Sequence, residues 1–321
     1  MSEGPVSLES VRLAARQLVG IARRTPLVET VALTAVVGVP VSLKCEHLQP
    51  VGAFKIRGAY TAVARLPDEV RRRGVVTSSS GNHGLALAWV AKHFGIRCVV
   101  VMPESAPCIK SDGVNQLGGN VVFAGKTRSP EQGARASDIA RQEALTLVPP
   151  FDHPDIVAGQ ATCGLEIVEQ SPSLTTVLVP VGGGGLLAGV AVAVLALRPE
   201  VEVIGVEPEG APKLSAALEA GSPVELGATS SIADGLLTRS VGATPWAVMR
   251  GLVRRAVQVS DDDLRAAVRH LWHRQGLRVE PSGAASAAAL LAGKVKPAGP
   301  VVAVLSGGNV DSGLFSELIE A

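Results

Sequence analysis

The chain is poor in aromatic side chains, since its 321 residues include only five Phe, three Trp and one Tyr. It also has almost no net charge, because 30 Lys and Arg residues are balanced by 29 Asp and Glu residues. Single-stranded nucleic acids are bound in basic grooves by stacking on aromatic rings, and anionic membranes attract basic surfaces. The composition therefore predicts no nucleic-acid and no membrane partner.

Long apolar runs and paired cysteines are missing as well. The longest apolar run, residues 186–197, has 12 residues, whereas a membrane-spanning helix needs about 20. The four cysteines, Cys45, Cys98, Cys108 and Cys163, form no CxxC pair. The N-terminal residues do not show the basic-then-apolar pattern of a secretory signal. These absences predict a cytoplasmic protein with free thiols.

Short β-branched runs alternate along the chain with longer stretches of helical spacing. The runs are apolar at consecutive positions and several end in glycine-rich turns, which indicates strands buried on both faces of a parallel α/β sheet. We predict strands at 41–44, 74–77, 97–101, 120–123, 176–179, 202–206, 256–259 and 301–305, and helices at 84–93, 130–145, 185–197 and 261–274. No proline-rich linker divides the chain, so we expect any second domain to be an insertion.

Three glycine-rich turns follow predicted strands, at residues 78–84, 182–185 and 306–309. In open α/β sheets, ligands bind at the carboxyl ends of the strands, so we expect the three turns to meet. The run of four glycines, Gly182 to Gly185, precedes a predicted helix, and consecutive amides at a helix N-terminus can hold a phosphate. The run matches neither GxGxxG nor a Walker loop. A flexible turn is the alternative interpretation.

Lysine is scarce, with eight residues among the 30 basic ones. Lys55 stands between Phe54 and a stretch with Gly58-Ala59 that begins a predicted helix. A lysine in such a place is more often a surface residue. The phosphate-binding turn elsewhere in the chain favours another interpretation, a cofactor that carries both a phosphate and an aldehyde. A lysine whose pKa is lowered by desolvation can bond covalently to such an aldehyde.

Taken in order, four motifs resemble those of the fold type II pyridoxal-phosphate (PLP) enzymes, and among these the serine/threonine dehydratase and serine racemase group. The motifs are GAFKIRGA (52–59), SSSGNHG (78–84), GGGGL (182–186) and SGGN (306–309). Shorter signatures agree, including those at 25–27, 151–154, 232–235 and 279–281. The resemblance covers about residues 20–312, nearly the whole chain.

The resemblance implies an α/β fold of the tryptophan synthase β type, with two parallel-sheet domains. A large PLP-binding domain would comprise residues 1–70 and 150–321, and a small domain, residues 71–149, would be inserted into it. The resemblance also implies pyridoxal 5'-phosphate as the cofactor, an amino acid as the substrate and a homodimer as the assembly.

Each residue that matches a family motif receives a role from the resemblance. Lys55 would hold PLP covalently and then move the substrate α-proton, and Ser80 would act as acid or base on the opposite face. The other cofactor contacts would come from Phe54 beside the ring, Asn82 at the ring hydroxyl, Gly182, Gly183, Gly184, Gly185 and the Leu186 amide around the phosphate, and Ser306 at the pyridine nitrogen. The substrate carboxylate would be bound by Ser79, Asn82 and His83, largely through backbone amides.

The reaction implied is deamination of L-threonine or L-serine through β-elimination of water, which yields a 2-oxo acid and ammonia. Ser306 agrees with this expectation, because a hydroxyl leaves the pyridine nitrogen neutral and elimination needs no long-lived carbanion. Ala53 and Gly84-Leu85 depart from the commonest residues of the motifs. The alternatives are a serine or aspartate racemase, a 3-hydroxyaspartate dehydratase and, outside enzymes, a PLP-binding amino-acid sensor.

No metal ligand set is expected in this chain. Serine racemase-like members bind a divalent cation through an acid, a backbone carbonyl four residues on and a second acid six residues on. Glu207 and Ala211 match the first two positions, but Lys213 stands at the third. A charged lysine cannot ligate a metal and repels it. Its ammonium would either fill the cation's place beside Glu207 or point to solvent, and both arrangements predict activity that is independent of Mg²⁺ or Ca²⁺.

Overall fold

A computed structural model describes residues 5–79, 81–106, 108–127 and 129–320. The strands within these ranges are β1 (Leu27–Glu29), β2 (Val41–Lys44), β3 (Val75–Ser78), β4 (Cys98–Met102), β5 (Asn120–Phe123), β6 (Thr146–Leu147), β7 (Thr176–Pro180), β8 (Glu202–Pro208), β9 (Arg255–Val259) and β10 (Val301–Val304).

The helices are α1 (Leu8–Gln17), α2 (Val31–Val37), α3 (Lys55–Ala64), α4 (Asp68–Arg73), α5 (Asn82–Phe94), α6 (Cys108–Gln116), α7 (Pro130–Gln142), α8 (Pro154–Gln170), α9 (Gly185–Leu197), α10 (Lys213–Ala220), α11 (Ala243–Met249), α12 (Asp261–Gln275), α13 (Pro281–Leu291) and α14 (Ser312–Glu320). Two short 3₁₀ turns, Glu46–Leu48 and Asp234–Leu236, lie between them. Across the described ranges, no helix is long and apolar enough to cross a membrane.

The larger sheet has the strand order β1-β2-β10-β7-β8-β9, and all its pairings are parallel except that of β1 with β2. Its central strands are apolar at consecutive positions because helices cover both faces. Along β7, Val177 and Val179 pack in the cluster beneath α8 and α9, while Leu178 packs in the cluster beneath α12 and α13. This double covering accounts for the unbroken apolar runs.

The smaller sheet has the order β5-β4-β3-β6 and is parallel throughout. Its strands lie between residues 75 and 147, inside the segment predicted to be inserted. The apolar cluster on one of its faces also includes Ala59 and Val63 of α3 and Ile156 of α8. Packing around this sheet therefore extends beyond residues 71–149, and the limits of the small domain stay a prediction.

The α/β class with two parallel-sheet units is confirmed. Each predicted strand corresponds to one in the structure, with bounds that agree within two residues. Two short strands were not predicted. β1 is an edge strand of three residues and β6 has only two residues, so neither is long enough to show a period.

Candidate active site

The carboxyl ends of β3, β7 and β10 face one cavity of about 230 Å³. Among the residues that line it are Phe54, Lys55, Ser79, Asn82, His83, Gly182, Gly183, Gly184, Gly185, Leu186 and Ser306. Residues from distant parts of the chain thus meet where the strand ends of a doubly wound sheet leave a crevice. Ser80, the remaining residue singled out from the sequence, lies outside the described residues.

Lys55 begins α3, and backbone pairing fixes the loop before it. The Phe54 N–H donates to the Ser306 carbonyl at 3.1 Å, and the Gly308 N–H donates to the Gly52 carbonyl at 2.9 Å. Lys55 Nζ donates to the Pro150 carbonyl at 2.6 Å and lies 5.0 Å from the centre of the Phe54 ring. Burial lowers the pKa of Lys55 to about 8. The amine therefore exchanges protons near neutral pH more readily than an exposed lysine.

The glycine turn has no room for side chains. Gly184 has a φ of +89°, in the left-handed region, and a Cβ on Gly183 would lie 2.3 Å from ring carbons of Phe151. The turn leads directly into α9, whose N-terminus has no side-chain cap. The first amides of a helix have no intrahelical acceptors and attract anions. The turn is therefore a cradle of the right chemistry for a phosphate group.

Asn82 is fixed between two other loops of the cavity. Its Nδ2 donates to Glu280 Oε1 at 2.5 Å, and its Oδ1 accepts from Asn309 Nδ2 at 2.8 Å. Asn309 Nδ2 also donates to the carbonyl of Val51, at 2.8 Å. The Asn309 amide thus joins the turn after β10 to the loop of Lys55 and to the N-terminus of α5. The remaining N–H of Asn82 can still donate to a ligand.

Ser79 and His83 have positions that suit backbone recognition. The Ser79 hydroxyl accepts from the amides of Gly81 and Gly84, at 3.3 and 3.2 Å, and so holds the turn before α5. His83 Nε2 lies 3.1 Å from the Val148 carbonyl, and burial, aided by the charge of Lys55, lowers its pKa to about 3. A neutral, buried imidazole is not a proton carrier at pH 7. The first amides of α5 are the groups suited to a carboxylate.

Several lining residues were not identified from the sequence. Lys110 of α6 is buried and forms an ion pair with Asp234, and Glu280 and Ser282 lie beside this pair. Burial raises the pKa of Glu280 to about 7. The negative charge of Asp234 also raises this pKa, while the positive charge of Lys110 lowers it. Asp234 and Glu280 lie in the short family signatures at 232–235 and 279–281. These signatures were the only sequence signal that could have placed the two residues at the site. Nothing in the sequence around Lys110 indicated that it faces the cavity.

A family model described as "Pyridoxal-phosphate dependent enzyme" matches residues 19–307 of the chain. The chain belongs to this family. PLP is therefore its cofactor, and the cavity fits that group, with a phosphate cradle that side chains would fill and a lysine amine of lowered pKa. Residues 54, 55, 82, 182–186 and 306, predicted from the sequence to hold PLP, all line this cavity.

Named relatives lie within the dehydratase and racemase group of this family. The L-threonine ammonia-lyase of Thermotoga maritima is 38% identical over 315 residues, which cover 98% of this chain and 78% of the relative. The L-threo-3-hydroxyaspartate ammonia-lyase of a Pseudomonas species is 37% identical over 98% of both chains. The structure of maize serine racemase matches this chain with a TM-score of 0.94 and 34% identity. The match covers 98% of this chain and 97% of the maize chain.

Proposed function

We propose that the protein deaminates a β-hydroxy amino acid, L-threonine or L-serine, to a 2-oxo acid and ammonia. One observation carries the proposal: a buried lysine amine, a glycine cradle and a neutral serine hydroxyl line the same cavity. An ammonia-lyase and a serine racemase are both among the similar proteins. The neutral hydroxyl favours elimination, because it cannot supply the charge that stabilises a long-lived carbanion.

The residues of this chain would divide the work as follows. The amides at the start of α5 bind the substrate carboxylate, and Ser79 keeps that turn in shape. Lys55 Nζ removes the α-proton, for which a pKa of about 8 is well suited near neutral pH. PLP, when bound, supplies the electron sink. Loss of the α-proton and of the β-hydroxyl removes one water molecule. A second water molecule then hydrolyses the product, which releases ammonia and leaves the 2-oxo acid.

Substrate binding also needs a closed and positioned cavity. Lys110 lies on α6, and Asp234 lies in the 3₁₀ turn that follows α10. Their ion pair joins the two sheet units at the cavity. We propose that this pair holds the units together over the substrate and helps to exclude water. The division of the chain at residues 71–149, a homodimeric assembly and the role of Ser80 belong to the same proposal and rest on the family resemblance. A cytoplasmic location is also proposed, and it rests on the sequence features described above.

A substrate panel tests the proposal. The purified enzyme with PLP is given L-threonine, L-serine, D-serine and L-threo-3-hydroxyaspartate, with L-alanine as a control that has no leaving group. We expect equal amounts of 2-oxo acid and ammonia from L-threonine or L-serine and none from L-alanine. Interconversion of serine enantiomers without 2-oxo acid would instead show a racemase. A shifted cofactor spectrum without turnover of any substrate would show a sensor.

A further inference from the structure

Lys213 is a buried lysine that lies outside the cavity. Lys213 is the first residue of α10 and has no exposed surface. Its Nζ donates to the carbonyls of Ala211 and Leu236, at 2.9 and 2.8 Å, and lies 3.9 Å from Glu207 Oε2. Oxygen atoms from three separate residues therefore surround one ammonium. Two carbonyls and a carboxylate are also the kind of ligands that hard metal cations select.

Glu207, the carboxylate of this group, has a structural task of its own. It accepts hydrogen bonds from the amides of Leu214 and Ser215, at 2.7 and 2.8 Å, and from the Ser215 hydroxyl at 2.7 Å. These amides belong to the first turn of α10, where a negative charge is favourable. Glu207 is completely buried, so its charge needs a nearby cation. Lys213 supplies that cation.

The arrangement leaves no place for a divalent metal ion. Mg²⁺ and Ca²⁺ bind oxygen ligands at roughly 2.0–2.6 Å, at a point that the Lys213 ammonium fills here. Burial lowers the pKa of Lys213 to about 8, while Glu207 opposes this change, so the ammonium form still predominates at pH 7. The cation site of the serine racemase-like enzymes therefore does not fit this chain. Elsewhere in the described ranges, no three His, Cys, Asp or Glu side chains are grouped to hold a metal.

The Lys213 contacts reach the active site through Leu236. This residue ends the 3₁₀ turn Asp234–Leu236, and all three residues of the turn line the cavity. The amide of Gly235 is held in turn by the Ser282 hydroxyl at 2.8 Å. Loss of the bond from Lys213 to the Leu236 carbonyl would release one end of this turn. Lys213 is thus connected to the cavity without touching a substrate or cofactor.

We propose that Lys213 is a built-in cation, which positions the 3₁₀ turn at the cavity and makes the protein independent of divalent metal ions. The side chain neutralises Glu207 and ties α10 to the turn, two tasks that a bound ion would otherwise perform. The inference does not depend on which amino acid is the substrate. It concerns stability and ion binding, which are measured without turnover.

The test is the thermal unfolding of the holoenzyme and its variants with EDTA, MgCl₂, CaCl₂ or KCl at equal ionic strength. For the wild type we expect the same Tm, within about 1 °C, under all conditions. Lys213→Asp places a carboxylate beside Glu207 and the two carbonyls, and in EDTA its Tm should be lowered by on the order of 10 °C. Millimolar Mg²⁺ or Ca²⁺ should restore about half of that loss.

Lys294→Asp is the matched control, because Lys294 also has a carboxylate partner, Glu209 at 3.8 Å, but is exposed. Its Tm should not respond to divalent ions. Should Lys213→Asp not fold, Lys213→Met removes the charge and keeps the bulk, and its Tm should be lowered whatever metal is present. Three results would overturn the proposal: a wild-type Tm that rises with Mg²⁺ or Ca²⁺, a folded Lys213→Asp that responds to neither ion, or a Lys213→Met as stable as the wild type.

Discussion

Two lysines of this protein have the same lowered pKa, about 8, yet they differ in their partners and in the free space around the amine. Among the described residues, Lys55 has one backbone carbonyl as hydrogen-bond acceptor, and it faces open space in the cavity. Lys213 has two carbonyl acceptors and a carboxylate, and has no exposed surface. Burial therefore makes an amine easier to deprotonate in both places. The number of partners and the free space distinguish a reactive amine from a structural one.

Removal of the Lys55 amine should have the largest effect. Lys55→Ala should reduce 2-oxo acid release at least about a thousandfold, because it removes the amine that we propose moves the proton and bonds the cofactor. The free energy of unfolding of the cofactor-free protein should change by less than about 1 kcal/mol, since only one hydrogen bond is lost. Initial rates and urea unfolding measure the two effects.

Lys55→Arg is the informative control for this prediction. It keeps a positive charge at the same place but cannot form the covalent link, so we expect it to be as inactive as Lys55→Ala. Borohydride reduction followed by peptide mapping locates the cofactor in the wild type. Cofactor that remains reducible onto another lysine in Lys55→Ala would show that Lys55 has been given the wrong role.

Arg57 is another buried cation, and its contacts are structural like those of Lys213. Its guanidinium donates to both carboxylate oxygens of Glu46, at 2.7 and 2.8 Å, and to Glu166, at 2.7 and 2.9 Å. Arg57→Met should lower the free energy of unfolding by about 3–5 kcal/mol, because the buried Glu46 carboxylate loses its ion-pair partner, while Glu166 keeps Lys44. Arg24→Met, which breaks the exposed pair with Glu169, should cost less than about 1 kcal/mol. Equal losses for the two variants would contradict the importance of burial.

Glu280 is a buried acid, and the attraction of Lys110 does not fully offset the effect of its burial. Its pKa in the folded protein is about 7, above the ordinary value of 4.5. Between these pH values the folded state binds more protons, so this residue makes the wild type less stable as the pH rises from 4.5 to 7. Glu280→Gln cannot titrate. The stability of the variant relative to the wild type should therefore increase, by on the order of 2 kcal/mol, between pH 5 and pH 8.

Urea unfolding of the cofactor-free protein at several pH values measures this difference, because bound PLP would add titrating groups to the same cavity. The exposed Glu317→Gln serves as the control and should give a profile parallel to that of the wild type. A Glu280→Gln profile that is also parallel would mean that Glu280 is ionised in the folded protein at pH 5.

The strands and the glycine turns were predictable because their signals are local. A strand buried on both faces is apolar at consecutive positions, as β7 and β10 are, and a parallel sheet directs the following turns to one edge. Glu280 could not be placed in this way. It accepts a hydrogen bond from Asn82, 198 residues away in the chain, and this proximity arises only from the packing of α13 against the sheet.

Lys213 represents an intermediate case. Its position six residues after Glu207 identified it as unusual, and two arrangements remained open, an internal ammonium or a solvent-exposed one. The choice between them depends on the Leu236 carbonyl, which comes from a separate loop. Sequence spacing within one segment cannot show where a second segment contributes an acceptor.

The position of β10 has a consequence for how the chain is made. β10 pairs with β2 on one side and with β7 on the other, so it lies in the middle of the larger sheet. Among the strands of that sheet, it is the last to be synthesised. Until then, β2 and β7 each present an open edge, of the kind that pairs wrongly with other chains. The smaller sheet, with every strand between residues 75 and 147, can close long before. Because Ser306 and Asn309 follow β10 directly, the pocket can be complete only after every strand of both sheets has been synthesised, so we expect PLP to bind after the sheets have formed.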